Sequence, residues 1–174
     1  SQEKTSDTSL VLTTTATLES GNFALLFIAL DNIATTDGDH SEVSSVTDAA
    51  SNTWQKIAEY TNGQGLAGGG VTVALWGTLA SSQLNSGSNI TITTSGNTTA
   101  KTASAWEFTI GGSGVTLASS VVVGLNDGAD AAAVTISGLT SKEYLFVHAL
   151  GVESTLAGVS YVEDSDYTSV SSVA

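Results

Sequence analysis

Short runs of alternating apolar and small polar residues, broken by Gly, Asn, Asp and Ser, make up most of the chain. Clear examples are residues 10–12, 71–76 and 90–93. Successive side chains of a strand point to opposite faces, so each run places its apolar side chains on one side. No long stretch shows the apolar spacing of an amphipathic helix. The pattern predicts an all-β protein, an antiparallel two-sheet β-sandwich with a jelly-roll-like arrangement.

Two segments refine this prediction. Residues 23–30 are apolar at every position, which is typical of a central strand covered on both faces. Residues 48–52 form a reversal that predicts a hairpin between strands 43–47 and 53–60. Only residues 78–85 could form a short helical turn. Further strands are predicted at 10–18, 71–76, 90–94, 103–110, 115–123, 133–137, 144–150 and 167–173.

The length of 174 residues predicts one domain with a single core. Residues 1–9 are polar and are predicted to form an N-terminal arm, and residues 10–174 the β-sandwich. Cysteine is absent, so the domain has neither disulfides nor a thiol nucleophile. No secretion signal is visible, and the longest apolar run is far shorter than the roughly 20 residues of a membrane-spanning helix.

Charge limits the choice of partners. Seventeen acidic residues against four lysines and no arginine give a net charge of −13. Phosphate contacts depend on Lys and Arg, so we expect no binding to nucleic acid and none to anionic membrane surfaces. Ser and Thr, 50 of the 174 residues, supply mostly uncharged polar faces. This composition is common in proteins of virions and of the extracellular space. A salt-loving host would also favour the acidic excess, and composition does not separate the two explanations.

One acidic segment carries candidate metal ligands. Asp37, Asp39, Ser41 and Asp48 fall at offsets 1, 3, 5 and 12, and calcium prefers such oxygen ligands. Glu42 stands where a helix-loop-helix calcium site has Gly, and the flanking segments are predicted strands. The alternatives are therefore a calcium site at Asp37, Asp39 and Asp48 or a solvated acidic loop without a cofactor.

Aromatic residues offer a second candidate site. Trp54, Trp76 and Trp106 lie in alternating strands, where a large ring most often belongs to the core, although such rings can also stack on sugars. Tyr60 borders the glycine-rich segment 62–70 and is the candidate ligand-binding residue. That segment lacks the Lys and the following helix of a nucleotide-binding loop, which favours a flexible loop. No Gly-x-Ser-x-Gly motif is present, and we expect no enzymatic activity.

Three stretches carry a family resemblance: residues 46–54 (VTDAASNTW), 70–76 (GVTVALW) and 103–108 (ASAWEF). With Gly21-Asn22 before strand 23–30, they resemble β-sandwich modules of tailed-bacteriophage virion proteins and of some bacterial surface adhesins. The likeness covers about the first two thirds of the chain. It implies a shared scaffold and an oligomeric virion or surface component, with no catalytic residue to transfer.

These observations lead to two functional expectations. The first is a bacteriophage virion structural protein, a capsid decoration or fibre-type component that assembles with copies of itself and with other virion proteins. The alternative is an extracellular or cell-surface module, a carbohydrate-binding adhesin or a receptor-binding part of a tail fibre. In the alternative, loops 31–42 and 61–70 around Tyr60 would contact a host-surface glycan.

Overall fold

The computed structural model describes residues 1–110, 114–116, 136–141 and 144–151. Over these ranges the chain forms eight strands and no helix, which confirms the all-β prediction. The strands are β1 (Gln2–Glu3), β2 (Asp7–Thr13), β3 (Phe23–Asp31), β4 (Val43–Asp48), β5 (Gln55–Asn62), β6 (Val71–Leu79), β7 (Asn89–Thr98) and β8 (Lys101–Phe108).

The strands form two antiparallel sheets that pack as a β-sandwich. One sheet has the order β1-β8-β3-β6-β5 and the other the order β2-β7-β4. Strands from the start of the described chain pair with strands from its end: β1 pairs with β8, β2 with β7 and β3 with β6. This winding is that of a jelly roll in which β5 has joined the larger sheet, so the predicted architecture is confirmed.

The core lies between the sheets. Side chains of alternate β3 residues, including Leu26 and Ile28, pack against Ile90 and Ile92 of β7. Trp54 and Trp76 also belong to this core, as predicted. Trp106 does not: its side chain is 38% exposed, because its position in β8 faces away from the second sheet. The prediction of a core role for Trp106 is wrong.

The connection from β4 to β5 is not a hairpin, contrary to the sequence prediction. β4 pairs with β7 in the smaller sheet, whereas β5 pairs with β6 in the larger one. The chain therefore crosses from one sheet to the other after Asp48. Trp54 lies in the core at this crossing, so the tryptophan and the connection together close one end of the sandwich.

Residues 1–9, predicted as a polar arm, contribute β1 to one sheet and the start of β2 to the other. The ammonium of Lys101, whose side chain is 1% exposed, donates to Thr5 O, to Thr98 O and to the Asp7 carboxylate, each at 2.8 Å. These bonds fix the passage of the chain between the sheets. Strand β2 begins three residues earlier than predicted.

Some of the remaining predictions are wrong, and others fall on residues outside the described ranges. The helical turn at 78–85 is wrong, because β6 continues to Leu79 and Leu84 forms a β-bridge with Leu18. Residues 144–150, predicted as a strand, have no strand assignment. The predicted strands 115–123 and 133–137 lie largely outside the described residues, and 167–173 lies entirely outside them.

Candidate functional site at the loop end

Two loops meet at one end of the sandwich, which we call the loop end. Residues 32–42 connect β3 to β4, and residues 63–70 connect β5 to β6. Gly38 and Thr61 exchange two backbone hydrogen bonds of 3.0 and 2.8 Å, and Gly65 N donates to Thr35 O at 2.9 Å. The structure thus brings together the acidic segment and the glycine-rich segment that the sequence singled out.

Asn32 holds both loops with one side chain. It is 2% exposed, and its Nδ2 donates to Ala34 O, Gly63 O and Leu66 O at 2.7, 3.0 and 2.9 Å. Its Oδ1 accepts from Gly70 N at 2.7 Å. The glycine-rich segment, predicted as a flexible loop, is therefore bonded to a buried residue near its start, its tip and its end.

The backbone of both loops is specialised. A Cβ at Gly63 would lie 2.4 Å from the Thr35 carbonyl carbon, so only glycine permits this close approach of the loops. Ser41 and Gln64 have φ values of 53° and 49°, in the left-handed region that side chains usually avoid. Strained non-glycine residues of this kind often cluster at functional sites.

Buried Glu42 anchors the first loop to the sheet. The side chain is 1% exposed. Its Oε1 accepts hydrogen bonds from Ile33 N and Ala34 N, and its Oε2 accepts one from the hydroxyl of Thr72 on β6. The carboxylate therefore satisfies loop amides that would otherwise lack acceptors in a buried place.

Glu59 on β5 completes this anchor. It is 3% exposed, and its oxygens accept from Glu42 N at 2.6 Å and Val43 N at 3.2 Å. Burial raises the pKa of Glu59 above its ordinary value, although the two amide hydrogen bonds and the Lys56 charge oppose the rise. Two buried acids thus fix the point where the loop enters β4.

The candidate calcium ligands are not brought together. Asp37 Oδ1 accepts from Gly63 N at 3.0 Å, and Asp39 binds the Lys56 ammonium at 2.7 and 2.8 Å. Asp48 lies at the far end of β4, roughly 17 Å along an extended strand from Val43. Among the described residues, no group of three or more acidic, His or Cys side chains is placed to hold a metal ion.

Asp39 and Lys56 form an ion pair at the surface instead. Lys56 Nζ also donates to Ser41 Oγ at 3.0 Å, and Ser41 N donates to Asp39 at 2.9 Å. Partial burial pushes the pKa of Asp39 up, but the hydrogen bonds from Lys56 and Ser41 N outweigh it and hold this pKa below its ordinary value. The Asp39 carboxylate is therefore already paired with the ammonium group of Lys56.

Tyr60 lies beside the loop end and not inside it. It is half-buried on β5, with Val73 of β6 as its register partner. Trp54 and Trp76 are in the core and Trp106 lies on β8. These four aromatic residues therefore do not form a common stacking platform at the loops.

A shallow depression of about 300 Å³ opens between the two loops. It is lined by five residues with polar side chains and one glycine: Thr35, Thr36, Asp37, Asn62, Gln64 and Gly65. Leu66, the next residue along the chain, is 65% exposed. Hydroxyl, amide and carboxylate groups of this kind bind polar ligands through hydrogen bonds.

Comparison of the chain with protein-family models, curated proteins and solved structures found no match. The described residues contain no helix long and apolar enough to cross a membrane. The resemblance to phage and adhesin modules stays a prediction. What the loop end does must be inferred from its own geometry.

Three residues that organise this end escaped the sequence analysis. Asn32 gives no sequence signal, because its partners are backbone groups up to 38 positions away. Glu42 drew attention in the sequence only because it stands where a helix-loop-helix calcium site has glycine. Glu59 was hidden by a β-bulge between Lys56 and Ala58, which changes the alternation and turns Glu59 inward.

Proposed function

We propose that this chain is a structural component of a bacteriophage virion, a capsid decoration or a fibre-type part. It acts through protein–protein assembly, with copies of itself and with other virion proteins as partners. The observation that supports this proposal is a second apolar surface, separate from the core, on the larger sheet.

We call this surface the outer face. It consists of the alternate side chains of β3, β6 and β8 that point away from the smaller sheet. Gly77 of β6 lies on this side of the sheet together with Phe23 and Ile57. A Cβ built on Gly77 would lie 3.0 Å from the Phe23 ring and 2.9 Å from the Ile57 side chain. The face carries Phe23, Leu25, Phe27, Val71, Val73, Leu75, Leu79, Trp106 and Phe108. Part of it is covered by the chain itself, because Leu25 is 3% exposed and a Cβ at Gly151 would lie 2.4 Å from Val73. The part that is open to a partner lies around Leu79 and Trp106.

Exposure is greatest at Leu79 and Trp106, which are 46% and 38% exposed. Apolar patches on rigid sheets are typical of protein–protein contacts, and tryptophan is enriched among the residues that dominate binding energy. The net charge of −13 supports a position away from packaged DNA and favours solubility at high copy number. A virion exterior satisfies both requirements.

The experiment combines particle analysis with matched variants. In purified bacteriophage particles we expect this protein at a fixed copy number per particle. For the isolated protein we expect an oligomer that forms as concentration rises, measured by light scattering coupled to size-exclusion chromatography. Leu79→Ser and Trp106→Ser should shift the oligomer to monomer. Val11→Ser is the control, because Val11 is 43% exposed on β2 of the smaller sheet. A monomer at all concentrations, absent from particles, would contradict the proposal.

The alternative is an extracellular adhesin or receptor-binding module that contacts a glycan. The polar depression between the loops specifically favours it, because pre-organised loops at one end of a sandwich are a common place for recognition. A glycan array tests this function directly. Binding to no glycan would contradict it, and turnover of glycosidase or esterase substrates would contradict both proposals.

A further inference from the structure

We infer that the open edge of β8 pairs with the same edge of a second copy of this chain. The two strands run antiparallel about a twofold axis that passes beside Trp106, perpendicular to the sheet. This pairing joins the larger sheets of two copies into one continuous sheet. The inference rests on the self-assembly proposed above and names one contact through which it takes place.

Part of β8 has a free edge. β3 pairs with β8 along its whole length, whereas β1 covers the other edge only as far as Ala103. There the Ser1 ammonium donates to Ala103 O at 2.7 Å, and Ala103 N donates to Ser1 O at 2.8 Å. Residues that bond to one neighbouring strand alternate with those that bond to the other. Ala105 and Glu107 therefore direct their backbone groups to an exposed edge, where no described residue pairs with them.

The other edge strands of the described chain carry features that discourage pairing with another molecule. Shifts of register interrupt the pairing of β2, β4 and β5 with their neighbours, and such irregularities protect sheet edges. β8 keeps an unbroken register with β3. The one charged side chain of its free part, Glu107, is held by the turn before β3, since its Oε1 accepts from Glu19 N at 2.9 Å and Asn22 Nδ2 at 2.6 Å. The edge of β8 is thus left without these protections.

The free backbone groups fix the register of the pair. When Trp106 lies opposite Trp106 of the second copy, Ala105 of each copy lies opposite Glu107 of the other. Each such pair then exchanges both of its backbone hydrogen bonds. A register centred on Ala105 would place Glu107 opposite Ala103, which is already paired with β1. A register centred on Glu107 would place Ala105 opposite Thr109, which lies beyond the end of β8.

Trp106 gains most from this pairing. It is 38% exposed in a single copy. At the centre of the pair the two indole rings lie side by side on the outer face, an arrangement that stabilises antiparallel strands. The open parts of the two outer faces, around Leu79 and Trp106, also become one patch. A strand pair this short buries far less than the roughly 1,200 Å² of a stable interface, so it holds only together with the outer-face contact.

Amide hydrogen exchange of the full chain tests the pairing without any substitution. NMR follows exchange at low and at high protein concentration. The amides of Ala105 and Glu107 should gain at least tenfold protection as concentration rises, because only the second copy supplies their acceptors. The amides of Ser104 and Trp106 bond to β3 and should be equally protected at both concentrations.

Two variants at one position separate the edge from its side chains. Ala105→Pro removes an N–H that has no partner in a single copy, and proline is tolerated at such edge positions. It should therefore keep the fold, checked by circular dichroism, and weaken self-association at least tenfold in analytical ultracentrifugation. Ala105→Ser keeps the N–H and is the matched control, which should associate like the parent.

A single thiol tests the register. The chain has no cysteine, so Trp106→Cys introduces one thiol per copy. Across the axis its Cα lies about 4.5 Å from that of the second copy, so a disulfide-linked dimer should form in glutathione buffer at high protein concentration. Ser104→Cys lies on the same strand and face but roughly 14 Å from its equivalent, and it should stay unlinked.

The outcomes distinguish this contact from self-assembly in general. Linkage at residue 104 instead of 106 would overturn the register. Self-association that ignores Ala105→Pro and leaves the amides of Ala105 and Glu107 unprotected would overturn the edge pairing and leave the outer face as the contact. A monomer that is present in particles would also overturn it, while the virion proposal stands. An edge-paired dimer that is absent from particles would support the pairing and contradict the virion proposal.

Discussion

The two ends of the sandwich are closed by similar residue types in different ways. At the loop end, apart from the bond of Asn32 to Ala34 O, Asn32 and Glu42 reach backbone groups that lie 8 to 38 positions away. At the opposite end, which we call the turn end, Asp48 accepts from Ala50 N, Asn52 N and Trp54 Nε1, all within six positions. The Asp48 network is therefore local, although Asn52 Oδ1 of the same segment also accepts from Ser82 N, 30 positions away. The bonds of Asn32 and Glu42 to the second loop and to β6 exist only when β3, β5 and β6 are already in place.

This difference teaches how acidic and amide side chains are used here. In both places they accept hydrogen bonds from backbone amides, and at neither end do they gather around a metal ion among the described residues. The long-range network leaves more groups without a partner when one side chain is lost. We therefore expect the loop end to be the more sensitive of the two ends to substitution.

The largest effect is expected for Asn32→Ala. The substitution leaves Gly70 N and three carbonyls without their buried partner, and unsatisfied buried groups cost about 1–3 kcal/mol each before relaxation. We predict a loss of about 3 kcal/mol in the free energy of unfolding, measured by urea denaturation. Asn89→Ala is the control, because Asn89 is exposed and should change stability by less than about 0.5 kcal/mol. Equal effects of the two variants would remove the special role of Asn32.

Asp48→Ala should lower the free energy of unfolding by about 1–2 kcal/mol, which is less than the loss expected for Asn32→Ala. The substitution removes three hydrogen bonds at the turn end, but Ala50 is half-buried and the bonds to Ala50 N and Asn52 N are only partly buried, so water can replace part of the loss. Urea denaturation in the same buffer gives the comparison. A larger loss for Asp48→Ala than for Asn32→Ala would reverse the proposed order of the two ends.

The pH dependence of stability isolates Glu59. Its pKa is raised in the folded chain above the ordinary value of 4.5, so the folded chain takes up the proton first as pH falls. Ionised Glu59 therefore destabilises the fold at neutral pH, and this penalty is relieved as pH falls towards 4.5. The slope from one such group cannot exceed about 1.4 kcal/mol per pH unit.

Glu59→Gln provides the measurement for this prediction. Unfolding free energies of parent and variant are compared from pH 7 to pH 4.5, where the parent should gain stability relative to the variant. Asp39 has a lowered pKa, so its stabilising contribution is lost only below its ordinary value of 3.8 and does not interfere. A constant difference across this range would show that Glu59 has no raised pKa in the fold.

The smallest effect is expected for Asp39→Asn. The ion pair with Lys56 lies at the surface, where Asp39 is 47% exposed, and exposed pairs contribute about 0–1 kcal/mol. A double-mutant cycle with Lys56→Met at low and high salt measures the coupling, which should shrink as salt rises. Coupling above 2 kcal/mol would place this pair in the loop-end network instead of beside it.

Strand patterning predicted much of the fold. Residues 23–30 are apolar on both faces because one face of the central strand β3 meets the core and the other belongs to the outer face, where Leu25 is also buried. Alternation cannot say which face meets the second sheet, and for that reason the position of Trp106 was mispredicted. Nor can a reversal at 48–52 reveal whether the next strand stays in the same sheet.

The candidate site was predictable only in outline. The sequence indicated two unusual loops, and the structure brings them together. The calcium pattern failed because offsets were counted through β4, an extended segment that carries Asp48 to the other end of the molecule. Asn32 could not be found, since a side chain that binds distant backbone leaves no periodic trace in the sequence.

The anchoring of the first strands has a mechanical consequence. β1 belongs to the larger sheet and β2 to the smaller, and Lys101 is bonded to the chain that passes between them. Tension applied through residue 1 would load the pairing of β1 with β8 first, and the chain could not be peeled on into β2 without breaking the bonds of the Lys101 ammonium to Thr5 and Asp7. An attachment point of this design resists pulling forces better than the short length of β1 suggests.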